Sequence, residues 1–181
     1  MAMPNLEPPD NHILDAATGW LMLGNAKEAR HEFEQLSPTA RQHPDAIDFE
    51  WCWFAHEKRW EEAVDVARRL IDQFPRRADA WIHRSFALHE LRRTQEAFDQ
   101  LLPALKKFPK EITIPYNLAC YTSQLGDLPA ARKWFQRVLT LGKSSEEKLH
   151  RLHAALEDVD LKPLWPELRQ RLEDLESGLH S

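Results

Sequence analysis

The stretch Asp79 to Leu91, DAWIHRSFALHEL, carries His83, Arg84, His89 and Glu90 within an otherwise apolar helical run. Imidazole and carboxylate groups so placed are the material of general acid–base catalysis. The two cysteines, Cys52 and Cys120, would add a nucleophile if a histidine approached either. His150 and His153 share one helical face, with Glu146, Glu147 and Glu157 nearby. Two such ligands hold zinc when a third converges. Each set also has a plainer reading. Nothing in the sequence fixes an orienting acid or an oxyanion donor beside the cysteines. Free cysteines are commonly small buried apolar residues, and histidines one helical turn apart are ordinarily solvated. The elements that carry these groups decide between catalysis, metal binding and recognition.

The chain has 181 residues, enough for one compact domain or one short solenoid. Hydrophobic residues make up 43%, charged residues 29%, and glycines number only 5, which favours an all-helical protein. The formal net charge is -5 and the pI about 6.0, against nucleic-acid binding. Paired basic residues such as Arg68-Arg69 and Lys106-Lys107 fall near expected helix C-termini, where cations complement the helix dipole. Two cysteines without a CxxC fit a reducing cytoplasm. MAMPNLEPPD lacks the pattern of a signal peptide, and no apolar run is long enough to suggest a membrane span.

The chain repeats itself. Ala29, Ala63, Ala97 and Ala131 are each 34 residues apart, as are Phe74-Pro75 and Phe108-Pro109, and Ile47, Trp81 and Pro115. The fourth unit, YNLACYTSQLGDLPAARKWF, holds Leu118-Ala119, a Gly126-Asp127 turn, and Ala131 with Phe135. The third holds Trp81, Ser85, Ala97 and Pro109, the second Trp60, Ala63 and Pro75, and the first Trp20, Gly24, Ala29 and Phe33. This pattern resembles the tetratricopeptide repeat family, whose unit reads W-x2-L-G-x2-Y, then A-x3-F, then P. The resemblance covers residues 10 to 145. It implies an all-α, right-handed superhelical solenoid of four antiparallel helix pairs, closed by a C-terminal helical cap. The expected divisions are a flexible arm at 1–9, units at 10–43, 44–77, 78–111 and 112–145, and capping helices at 146–181.

Eight repeat helices are expected, at 10–23, 26–36, 44–57, 60–73, 77–91, 94–107, 112–124 and 128–141. Pro44 and Pro129 suit helix N-termini. Ser37 before Pro38 caps a short extra turn. Pro103 should kink the sixth helix by removing the bond to the Asp99 carbonyl. In the tail, a helix runs from Ser144 or Ser145 to about Leu156, DVDLKP is a break, and Pro163 and Pro166 open a last helix. Leu164, Leu168, Leu172 and Leu175 form its apolar stripe, which serves as a cap or, alternatively, as a dimerisation arm.

In the tetratricopeptide family the first helix of each unit lines a concave groove. Carried over, the groove is Asp45, Asp48, Phe49, Cys52 and His56, then Asp79, Ile82, His83, Phe86, His89 and Glu90, then Thr113, Tyr116, Asn117, Cys120 and Gln124. The first unit offers Asn11, Leu14, Asp15 and Thr18. Asn117 carries the most weight, because an amide donates to and accepts from a peptide backbone at once. The family's carboxylate-clamp positions hold no suitable cations here, which rejects the binding of heat-shock chaperone tails. Asp45, Asp48 and Asp79 favour a basic or neutral segment. Glu50 and Arg84, one period apart, are expected to pair between the second and third units. The resulting expectation is a non-enzymatic adaptor with a protein or peptide partner and no cofactor, metal, nucleic acid or membrane. A small secretion-type chaperone is the alternative within binding, and a helical enzyme or metal protein the alternative outside it. Trp53, Trp60 and Trp134 on the convex side would favour self-association.

Overall fold

The computed structural model describes residues 5–179 and contains helices and turns, with no strand among them. The described residues form two compact regions that divide at Leu91 and Arg92. The first comprises α1 (Asp10–Met22), α2 (Ala26–Phe33), a 3-10 turn (Ala40–Gln42), α3 (Pro44–His56), α4 (Trp60–Gln73) and α5 (Ala78–Glu90). The second comprises α6 (Thr94–Leu101), α7 (Ala104–Lys107), α8 (Thr113–Gln124), α9 (Leu128–Leu141), α10 (Ser145–Glu157), a 3-10 turn (Val159–Leu164) and α11 (Trp165–Leu179). Within each region successive helices pack on one another, α1 on α2, α3 on α4, α4 on α5, α8 on α9 and α10 on α11.

The 34-residue period has a physical basis in close approach. Ala29, Ala63, Ala97 and Ala131 are all fully buried, so neighbouring helix backbones come together at these positions. Ala17, Ser85 and Ala119 form a second buried series at the same period. Trp51 stands where that series calls for a small residue, and it is buried too. The turns that follow α1, α3, α5 and α8 repeat as well. Gly24, Lys58, Arg92 and Gly126 lie one period apart and have φ of +76°, +55°, +63° and +82°. Three of these turns are tied by bonds from Asn25 N–H to Trp20 O, Arg59 N–H to Phe54 O and Asp127 N–H to Thr122 O, each 2.9 Å. That is the left-handed helix stop that glycine fits and other residues resist. The sequence marked the outer two turns through their glycines, and the middle two were missed.

Helix starts follow the same division. Asn25 Oδ1 accepts from Glu28 N–H at 3.2 Å, and Asp127 Oδ1 accepts from Ala130 N–H at 3.0 Å. The equivalent Arg59 and Arg93 cannot cap. They donate instead to Glu62 and Glu96 one turn ahead. Ser37 acts as expected, with its Oγ accepting from Ala40 N–H at 3.1 Å and donating to Asp10 Oδ2 at 2.7 Å.

Several expectations change. Pro103 breaks the sixth helix outright: α6 ends at Leu101 and α7 begins at Ala104. Across the break the N–H groups of Leu105 and Lys106 bond three residues back, both at 3.3 Å. α2 ends at Phe33 rather than near residue 36. The Glu50–Arg84 pair does not form. Glu50 pairs with Arg69 on α4, the antiparallel partner of its own helix, which presents a cation across the pair. Residues 1–4 of the arm lie outside the described residues, and Leu6 packs against the Leu14 and Ala17 core instead of standing free. DVDLKP is no irregular break: Asp158 caps an ordered 3-10 turn, Val159–Leu164, in which Leu161 and Leu164 are buried. Leu168 on α11 is buried as well, and Trp165 Nε1 donates to Ala155 O at 3.0 Å. α11 is further fixed to α9 by Arg132–Glu167 hydrogen bonds of 2.9 and 2.7 Å.

Candidate functional site

In the first region, α3 and α5 pack directly and bring the groove set together side by side. His83 Nε2 lies 2.8 Å from Asp48 Oδ1. A carboxylate accepts only, so Nε2 carries a proton and donates. The imidazole lies flat on Trp51, with ring centroids 3.7 Å apart and planes at 6°. The oversized residue at the small-residue position thus fixes the histidine. Phe86 meets Trp51 edge-on at 6.3 Å and Trp60 at 5.8 Å, and it remains 38% exposed.

Arg77, one period after the α3 cap residue His43, organises the acidic side. Its Nη1 donates to Asp45 Oδ1 at 2.9 Å and its Nε to Asp79 Oδ1 at 3.1 Å. Burial pushes the Asp79 carboxyl up, but the Arg77 hydrogen bonds and charge, with the Ala80 N–H, outweigh it and hold the pKa below the ordinary value. The acidic cluster is therefore partly neutralised within the fold, although three carboxylates exceed one guanidinium. Arg77 and Trp51 are the site residues that sequence reasoning missed.

Cys52 sits beside this cluster. Burial, and then the Asp48 charge, push its thiol pKa up to about 11. A thiol so perturbed is protonated at neutral pH and is a poor nucleophile. Phe49 is buried and stacked on Phe33 at 4.9 Å, so it belongs to the core rather than to an open face. His89 is buried, Ile82 half-buried and His56 exposed.

In the second region the equivalent face belongs to α8, and the chain's own tail covers part of it. Tyr116 Oη donates to Asp158 Oδ2 at 2.9 Å, and Cys120 Sγ lies 3.6 Å from the same oxygen. Gln124 Nε2 donates to Asp160 O at 3.1 Å. Burial, with Asp158 adding its charge, raises the Cys120 thiol well above its ordinary pKa, and the Tyr116 phenol moves the same way. Asn117 is half-buried, and its amide makes no hydrogen bond among the described residues. No group of three metal-ligating side chains occurs among the described residues; His153 lies 4.0 Å from Glu176. Trp53 is one of the tryptophans expected to leave apolar surface. It is half-buried, and its Nε1 donates to Ala26 O at 3.0 Å.

No family model matches the chain, and no curated protein does. Solved structures do match. A thermophilic TPR protein from Thermus thermophilus aligns at 19% identity and TM-score 0.66, over 92% of this chain and 98% of that one. MamA from Desulfovibrio magneticus RS-1, from residue 41 to its end, aligns at 15% identity and TM-score 0.67, over 98% and 100%. A MamA from MSR-1 aligns at 19% identity and TM-score 0.60, over 71% and 74%. At these identities the likeness establishes the fold, and the fold is that of tetratricopeptide proteins.

Proposed function

We propose that this protein is an interaction module that binds a peptide or a partner helix on the face of α3 and α5. The observation that carries the proposal is the braced but open cluster of Asp48, His83, Trp51 and Phe86. Its rings and carboxylates are held in place within the chain, and an aromatic edge is left to solvent. Preorganised polar groups beside an exposed aromatic anchor suit recognition, because little entropy remains to be lost on binding. The chemistry argues against catalysis, since the nearby thiol is held in its unreactive form. Residual negative charge around Asp45, Asp48 and Asp79 favours a neutral or basic segment. In the second region the half-buried Asn117 of α8 is a separate candidate contact. No helix among the described residues is long and apolar enough to cross a membrane. Two unpaired thiols suit a cytoplasmic adaptor.

The test is affinity capture from native lysate with identification by mass spectrometry. Wild type runs beside Phe86→Ala, Asn117→Ala and the double variant, each first checked for fold by circular dichroism. The expected result is a protein retained by wild type and lost with Phe86→Ala. Equal capture by all four would remove this face as the site.

A further inference from the structure

The first region contains a second concavity that the α3–α5 face does not use. α2 has 8 residues, as does α6, which is broken at Pro103, whereas their counterparts α4 and α9 have 14 each. The cause is local. Pro38 stands in the register that Asp72 occupies inside α4, and a proline there cannot continue the helix. The chain turns away after Phe33, and a cavity of about 260 Å³ opens at the end of α2. Phe33, Trp53 and Phe54 supply its apolar wall, and Arg30, Arg41 and Arg59 its cations.

The aromatic wall is rigid and electrostatically primed. The Trp53 indole is fixed by its bond to Ala26 O. Arg30 lies over the Trp53 ring at 5.0 Å, and Arg59 lies over Trp53 at 5.5 Å and Phe54 at 4.7 Å. Guanidinium groups stacked in this way keep their in-plane donors available for a carboxylate. Arg30 uses only its Nε, toward Glu34, and Arg59 uses Nε and Nη2, toward Glu62. Arg41 uses Nε toward Leu36 O and Nη2 toward Glu34 O. Free Nη groups remain on all three. The acids in the wall, Glu34 and Glu50, are already paired with Arg30 and Arg69. Counting Arg69 and Glu62 as well, the balance at this cavity is positive, on a chain of net charge -5.

We propose that this cavity docks an acidic peptide segment, which lays one apolar side chain against Trp53 and Phe54 and its carboxylates against Arg30, Arg41 and Arg59. Charge and size both point to this occupant. Small-molecule and cofactor sites run from about 300 to 1,000 Å³. A smaller, solvent-reached space takes a single side chain of a longer ligand. The cavity shares only Phe49 with the proposed groove and prefers the opposite charge, so one site can fail without the other.

The test uses the full chain and a fluorescein-labelled, end-blocked peptide with one phenylalanine flanked by two glutamates on each side. The controls are the same peptide with lysines for glutamates, with alanine for phenylalanine, and phenylacetate as a free acid. Anisotropy follows binding, and the Trp53 indole N–H signal in a nitrogen–proton correlation spectrum locates it. The acidic peptide should saturate and shift that signal, and the lysine and alanine peptides should bind at least tenfold more weakly. Arg30→Gln with Arg59→Gln should weaken binding at least tenfold. Glu34→Gln should tighten it, a gain that misfolding cannot mimic. Phe86→Ala should leave it unchanged. Absence of saturation by the acidic peptide, equal binding of the lysine peptide, or undiminished binding by the double arginine variant would overturn the proposal. Saturation by phenylacetate alone would overturn the peptide as the occupant.

Discussion

Cys52 and Cys120 occupy the same position of a 34-residue repeat, and their surroundings differ in kind. Around Cys52 the face of α3 and α5 is braced from within by Arg77, by the Asp48–His83 bond and by the Trp51 stack, and it stays reachable from solvent. Around Cys120 the face of α8 is braced by a separate piece of chain, the 3-10 turn that begins after Asp158, and the thiol is buried. One repeat position thus gives an open face in one region and a closed seam in the other. What decides between them is whether the bracing groups come from the helices themselves or from a covering segment.

The largest effect should come from removing the brace in the open region. Trp51→Ala is expected to cost about 3–5 kcal/mol, because a buried indole is lost and the His83 ring is left without its support. Urea denaturation would measure it. A cost below about 1 kcal/mol would mean that the small residue normal at this position is accepted and that the stack is incidental.

Leu161→Ala attacks the closed seam and should cost about 2–5 kcal/mol. Its sharper readout is selective. Alkylation by iodoacetamide should accelerate at Cys120 and not at Cys52. Equal rates at Cys120 in wild type and variant would show that the tail is not what shields it. At Cys52 itself, the alkylation rate should climb with pH and level off near about 11, where burial and Asp48 have placed the thiol.

Arg77→Met should cost about 1 kcal/mol, since solvent reaches the carboxylates it joins. Its pH dependence is the better test. The Asp79 carboxyl has a folded pKa below its unfolded one, so its stabilising contribution is present above the ordinary carboxylate range and is lost as pH falls through the folded value. The wild-type advantage should therefore shrink steadily below about pH 5. A difference that stays constant down to pH 2 would show that Arg77 acts through packing alone.

The smallest expected effect has the opposite sign. Lys58 and Arg92 hold the left-handed turn that Gly24 and Gly126 hold elsewhere. Lys58→Gly with Arg59→Asn should stabilise by about 0.5–1 kcal/mol, relieving the backbone and supplying the cap that Asn25 supplies to α2. Chemical denaturation of the double variant beside wild type would measure it, and a loss of stability would show that the Arg59 contacts with Glu62, Trp53 and Phe54 outweigh the strain at Lys58 and the added cap.

Much of this architecture was legible. The spacing of the four alanines placed the helix pairs, Pro44 and Pro129 marked two helix starts, and Ser37 revealed the 3-10 turn. The losses have physical reasons. The partner of Glu50 depends on which way a side chain leans across an antiparallel pair, and the period does not encode that. Trp51 was hidden because nothing in the sequence points to a tryptophan at a place that Ala17, Ser85 and Ala119 fill with small residues. The strained turns at Lys58 and Arg92 were recoverable by counting one period from Gly24 and Gly126. The closure over α8 was not recoverable, because an irregular six-residue stretch carries no periodic signal of where it docks.

That closure also sets an order in time. Most helices pack on the element that follows them, and such short-range contacts form quickly. Tyr116 and Asp158 are 42 residues apart, so their contact waits for a longer loop to close. The seam over α8 is therefore expected to form late, after the helices beneath it. A change at Asp158 should act on the rate of unfolding and leave the rate of folding nearly untouched.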